Sequence, residues 1–168
     1  MRCNGSRAAP VLIAYDGSDL ARAAVREAAE LFAGRQAVVA TVWEPGLAAV
    51  FPAPVGALDE TPLAPDPATI EALDRVQRER ALSVVAEGAE LASSLGLAAE
   101  PRVVPDELDV ADTLIDIARE RGAAVVVVGS HGISGLRSRL LGGVSRKLLA
   151  HCDRPVLVIR GESQGLPG

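Results

Sequence analysis

The stretch AAVVVV, Ala123 to Val128, leaves this chain few folds to choose from. A strand with one wet face alternates apolar and polar residues, and this run has no polar residue to turn outward. Uninterrupted runs of this kind belong to parallel sheets that carry helices on both faces. The stretch therefore demands further strands beside it and helices long enough to cover them.

The rest of the chain supplies both. Val11 to Tyr15 is a short apolar run closed by the turn-forming Asp16-Gly17-Ser18. Ser18 is placed to cap a helix and Asp19 puts a negative charge in its first turn. Leu20, Ala24, Ala28 and Leu31 follow at helical spacing, and Gly34 ends the run. AVVATVW, Ala37 to Trp43, reads as a second strand. From Glu44 to Pro67 the pattern dissolves into proline, alanine and glycine, read as a mobile surface connection within one domain. The spacing then predicts a long helix over about Ala68 to Leu95, with Leu73, Val76, Val84, Leu91 and Leu95 on one face and Gly96 closing it. AEPRVV, from Ala99, is a third strand, and Asp109 caps a helix carrying Val110, Leu114 and Ile117, closed by Gly122. After the valine run, a helix from about Gly143 to Ala150 leads to the last strand, PVLVIR. This alternation predicts an α/β fold, an open five-stranded parallel sheet with right-handed crossovers and helices on both faces. The whole chain, 1–168, reads as one domain with an ordered core of about 10–160 and flexible termini.

Composition excludes several function classes. The formal net charge of −5 leaves no excess of Lys and Arg to neutralise phosphates, so nucleic acid is not an expected partner. Aromatic residues at 2% leave no platform on which bases could stack. The basic residues are sixteen arginines and a single lysine, Lys147, which reads as coding bias. Two cysteines, Cys3 and Cys152, cannot build a disulfide framework, and no CxxC spacing offers a metal site. The apolar stretch Ala8 to Tyr15 is too short to span a membrane and lacks a signal-cleavage context. The expectation is a soluble cytoplasmic protein with no membrane partner.

In an open α/β sheet, ligands bind beyond the carboxyl ends of the strands, where the strand order reverses. The residues expected there are Asp16 to Ser18, Trp43 with Glu44, and the segment GSHGISGLRSRLLGG that follows the valine run. Its five glycines let backbone N–H groups converge on an anion, because no Cβ blocks the approach. The helix that opens at Gly143 adds unpaired N–H donors and a partial positive charge. Ser130, Ser134 and Ser145 offer further donors. Together these describe a phosphate cradle, with a flexible turn as the alternative. No lysine follows in the manner of a Walker A loop, and the dinucleotide GxGxxG belongs after the first strand, where YDGSD carries one glycine. The spacing present is Gly129-x2-Gly132-x9-Gly142, followed by Gly143.

With IAYDGSDLA at the front and RPVLVIR at the back, that spacing resembles the universal stress protein family from about Val11 to Arg160. The nucleotide-binding branch of that family carries G-x2-G-x9-G-[ST]. The resemblance implies an adenine nucleotide alpha hydrolase-like sheet of order 3-2-1-4-5 and an adenine nucleotide, such as ATP, as ligand. It implies that Ala14, Tyr15 and Asp16 lie against the nucleoside, with Asp16 near the ribose or a phosphate-bound Mg²⁺. Val42 would meet the adenine through its backbone. Gly129, Ser130, His131, Gly132, Ile133, Ser134 and Gly135 would wrap the phosphates, and Gly142, Gly143, Val144 and Ser145 would complete the cradle. It further implies a homodimer through the last strand, where Val156, Leu157, Val158 and Ile159 would otherwise leave a sticky edge.

One position departs from the pattern: Gly143 stands where the family has Ser or Thr. A hydrogen bond to a charged group is worth about 1.5–3 kcal/mol, so with no substitute the affinity falls by roughly tenfold to a hundredfold. The Gly143 amide remains and Ser145 is near, so weakened binding is expected. Asp16 needs Mg²⁺ or a ribose hydroxyl to sit beside phosphates, and otherwise reads as a turn residue. His131, with no visible carboxylate partner, reads as a loop donor rather than a catalyst. Lys147 and His151 suit the negative end of the last helix, which also disfavours a thiolate at Cys152. Arg137 and Arg139 read as solvated, within reach of phosphate. With no general base, P-loop lysine or second acid, at most very slow ATP hydrolysis is expected. Three readings follow: an ATP-binding stress or signalling module, a very slow ATP hydrolase, and a nucleotide-free dimeric scaffold that Gly143 keeps open.

Overall fold

A computed structural model describes residues 9–45, 66–106, 109–132 and 141–161. Five strands form one sheet: β1 (Val11–Ala14), β2 (Gln36–Trp43), β3 (Ala98–Pro105), β4 (Val125–Gly129) and β5 (Val156–Ile159). Their order is β3-β2-β1-β4-β5 and every neighbouring pair is parallel, as expected. The described helices are α1 (Asp19–Leu31), α2 (Pro67–Ser94), α3 (Val110–Glu120) and α4 (Gly143–His151). Most of the connection expected over Glu44 to Pro67 lies outside the described residues.

The valine run does what its composition demands. Every residue of β4 is buried, and its side chains alternate between two cores. Val125 and Val127 join Val11, Ile13 and Tyr15 under α1 and α2, whereas Val126 and Val128 join Leu12 under α3 and α4. On the second face Leu114 of α3 and Leu148 of α4 are wholly buried, each worth about 1.5–3 kcal/mol of transfer free energy. Local signals set the helix ends. The Ser18 hydroxyl accepts from the Ala21 amide at 3.1 Å, and the Asp109 carboxylate accepts from Ala111 N at 2.8 Å. Gly34, at φ +74, supplies the left-handed residue that follows α1.

Two helix faces differ in part from the spacing-based reading. Of the expected α2 stripe, Val84 and Leu91 pack partly buried on the core, whereas Leu73, Val76 and Leu95 are exposed, and the fully buried residues are Ala81, Val85, Gly88, Ala89 and Ala92. The reason lies across the interface: the Tyr15 ring fills the gap, and a Cβ on Gly88 would stand 2.7 Å from its Cδ1. Only a face of small residues brings the helix against that ring. Among the described residues the turns of α2 ahead of Ala81 bury no residue, and Leu73 and Val76 there stay exposed. α1 buries Ala24 and Ala28 as expected, with Ala21, Val25 and Ala29 beside them, and leaves Leu31 exposed at its end.

Candidate functional site

The sheet itself makes the opening. β1 ends where Ala14 pairs with Ala40, while β2 runs on to Trp43, and the strand order reverses between β1 and β4. A cleft of about 450 Å³ occupies this switch point, within the range of small-ligand sites. Ala14, Tyr15, Asp16, Val42, Gly129, Ser130, His131 and Gly132 line it, as do Gly142, Gly143, Val144 and Ser145. Ile133, Ser134 and Gly135 fall outside the described residues, together with Arg137 and Arg139.

One end of the cleft is apolar. Ala14, Ala40 and Val42 form its sheet side, and Val110 and Leu114 of α3 form the wall opposite. From the sequence these two α3 residues read as core only. Their helical spacing marks an apolar face, and that face serves the core and the cleft together. Leu141 and Arg146 also line the cleft, and no motif in the sequence marks them for it.

The other end is polar and built on α4. Gly142 takes the cap position at φ −61, ψ 163, without a side-chain cap, and the Arg146 amide donates back to its carbonyl at 3.0 Å. The amides of Gly143, Val144 and Ser145 lie in the first turn, where no carbonyl stands one turn behind them. They and the helix dipole face the cleft together. Ser130 and Ser145 hold this end in place. Ser130 N donates to Ile159 O at 2.7 Å, while Ser130 O accepts from Gly142 N at 2.7 Å and from the buried Ser145 hydroxyl at 3.1 Å. The Ser145 side chain thus fastens α4 to the end of β4, and what it offers a ligand is its main chain.

The glycines divide by role. A Cβ on Gly129 would lie 3.0 Å from Leu20 Cβ, so this glycine admits α1 against β4. A Cβ on Gly132 would lie 2.8 Å from Asp16 Oδ2, so the bare backbone of the loop passes directly over that carboxylate. Among the described residues nothing beyond the chain neighbours and the helix's own backbone lies within 4 Å of a Cβ at Gly143. Asp16 combines its two expected characters: Oδ1 accepts from Ser18 N at 3.0 Å as a turn residue, and Oδ2 faces the loop. His131 Nδ1 is 2.9 Å from the Ser130 hydroxyl.

Tyr15 faces the cleft with its main chain alone, because strand alternation sends its ring to the α2 side. Its hydroxyl donates to Glu87 Oε1 at 2.8 Å, and Glu87 also accepts from Arg22 Nε at 2.9 Å. Burial, reinforced by the Glu87 carboxylate, pushes the phenol up to about 12. Lys147 ties α4 to α3, its Nζ 2.7 Å from Asp112 and 3.3 Å from Asp109. Among the described residues no group of three or more His, Cys, Asp and Glu is arranged to hold a metal ion, and Asp16 is the one carboxylate lining the cleft.

Comparison with known proteins places this architecture. The profile of the universal stress protein family matches residues 9–160. Universal stress protein YxiE of Bacillus subtilis is 33% identical over 161 residues, covering 89% of this chain and 97% of that protein. The structure of hypothetical protein MJ0577, from Methanocaldococcus jannaschii, superposes with a TM-score of 0.75 at 18% identity, over 94% of this chain and 99% of that one. A universal stress protein solved in complex with cAMP has a TM-score of 0.58 at 25% identity, over 90% of this chain and 95% of that one. The family profile begins two residues before β1 and ends one residue after β5, so it takes in every strand that shapes the cleft. On that match the chain belongs to the universal stress protein family.

Proposed function

We propose that the protein is an adenine-nucleotide-binding module that serves stress response or signalling in the cytoplasm, and not an efficient enzyme. The observation that carries this reading is the meeting, in one cleft, of an apolar slot with the open N-terminus of α4. Val42, Val110 and Leu114 would take the adenine, and the amides of Gly143, Val144 and Ser145 would take the phosphates. The related protein solved with cAMP, 25% identical over 90% of this chain, supports an adenine nucleotide as the ligand class. Asp16 would contact the ribose or provide one oxygen ligand to a Mg²⁺ that arrives on the phosphates, an ion commonly held by one or two carboxylates plus phosphate oxygens. Phosphoryl transfer calls for a positioned water and charge clamps on the departing phosphate. Asp16, hydrogen-bonded in its turn, is the single acid among the described residues of the lining, so any hydrolysis of ATP is expected to be very slow.

The test is the nucleotide content of the protein as purified, released by heat and identified by chromatography. An adenine nucleotide in near-stoichiometric amount is expected. Its absence, with no calorimetric binding of AMP or ATP, would favour the nucleotide-free scaffold. A homodimer through β5 completes the proposal. Among the described residues this strand pairs with β4 alone and ends the sheet, with Val156, Leu157, Val158 and Ile159 each half-buried. Antiparallel pairing about a twofold axis would satisfy its outer backbone groups with the same patch on each subunit.

A further inference from the structure

Resting on that reading of the cleft, we infer that Arg146 supplies a charged contact to the nucleotide phosphates in place of the hydroxyl contact that Gly143 leaves out, so that affinity rises with the charge of the phosphate chain. Arg146 is three residues beyond Gly143 on α4, hence on the same helix face. Helical side chains lean toward the N-terminus and cover the turn before their own Cα, which here is the turn of Gly142 and Gly143. The hydrogen bond made by Arg146 shows that lean: Nη2 donates to Leu141 O at 3.3 Å, at the level of the helix start. Among the described residues nothing beyond the chain neighbours and the helix's own backbone lies within 4 Å of the Cβ position at Gly143. The missing hydroxyl therefore leaves room in the direction the guanidinium already takes. That group carries five N–H donors in a fork suited to phosphate oxygens, and the bond to Leu141 uses one of them. Among the described residues lining the cleft, Arg146 is the one Arg or Lys. Asp16 stands on the loop side of the same cleft, so a phosphate chain meets repulsion there and attraction at Arg146. The side chain is exposed, which lets it swing from Leu141 onto a ligand and also leaves its charge open to screening by salt.

The test compares adenosine, AMP and ATP by calorimetry on the wild type, Arg146→Ala and Arg146→Lys. Arg146→Ala is expected to lose about tenfold in ATP affinity, less for AMP and nothing for adenosine, and Arg146→Lys to recover part of the loss. The wild-type advantage of ATP over AMP should shrink as salt is raised. In a Gly143→Ser background, where a hydroxyl shares the phosphate, the loss on Arg146→Ala should be smaller. Equal losses for adenosine and ATP, or no loss for any of the three, would overturn the inference while leaving nucleotide binding in place. A wild type that binds none of the three removes the underlying reading and this inference with it.

Discussion

Gly143→Ser is the perturbation whose effect the structure defines most closely. Gly143 is the first residue of α4, its φ is not positive, and among the described residues nothing beyond its chain neighbours and its own helix backbone lies within 4 Å of its absent Cβ. A serine therefore meets no clash among the described residues. Replacing a glycine whose conformation the new residue can adopt stabilises a protein by about 0.4–1 kcal/mol, mainly by restricting the unfolded chain. For a chain of this size that raises Tm by about 1–4 °C. The hydroxyl would also point into the mouth of the cleft, beside the amides of Gly143 and Val144. A hydrogen bond to a charged group is worth about 1.5–3 kcal/mol when buried, and the open position calls for discounting this to about 0.5–1.5 kcal/mol. The corresponding gain in affinity is roughly twofold to tenfold for AMP and ATP. Adenosine, with no phosphate to meet, should bind unchanged. Calorimetry with the three ligands beside a thermal melt separates the effects. A variant with raised Tm but equal or weaker ATP binding would refute the placement of the phosphates over the start of α4.

Gly132→Val puts a branched side chain where even a Cβ lies 2.8 Å from Asp16 Oδ2; binding should disappear while far-ultraviolet circular dichroism stays native, and unchanged affinity would contradict the assigned cradle. The phenol of Tyr15 keeps its proton up to about 12 in the folded protein, against an ordinary tyrosine value of 10.0. The folded state thus holds more protons than the unfolded chain between those values, so this contribution to stability is complete below about pH 10 and is lost as pH rises toward 12. Tyr15 is the only tyrosine, so phenolate absorbance reads it directly, and a midpoint near 10 would speak against its burial beside Glu87. Val158→Lys places a charge in the half-buried last strand and should yield a soluble monomer of native helicity. Light scattering that finds a monomer before the substitution, or the same dimer after it, would defeat the β5 interface.

Features held by short-range physics were legible in the sequence. The apolar runs of β1 and β4 announce strands buried on both faces. The Ser18 and Asp109 caps, with Gly34 and Gly122 behind their helices, mark the ends of α1 and α3 because capping is a contact within one turn. The face of α2 was legible only in part, at Val84 and Leu91. It is set by the Tyr15 ring on another element, which rewards Ala and Gly where a propensity reading looks for leucine. In the site, glycine spacing pointed to the cradle but not to the division of labour within it. Gly129 reads like a phosphate glycine yet meets Leu20, and the Ser130 carbonyl and Ser145 hydroxyl are spent on each other. Val110 and Leu114 looked like ordinary core because one apolar face serves two purposes. Arg146 stands in no motif, and only the fold brings it to the lining of the cleft.

In the function proposed, one cleft binds adenine at Val42 and phosphate at the start of α4. Amide NMR spectra recorded during titration with adenosine and with ATP separate the two contacts. Both ligands are expected to move the amide of Val42, and ATP alone to move strongly those of Gly132, Gly143, Val144 and Ser145. ATP binding that leaves the first-turn amides of α4 unmoved would contradict it.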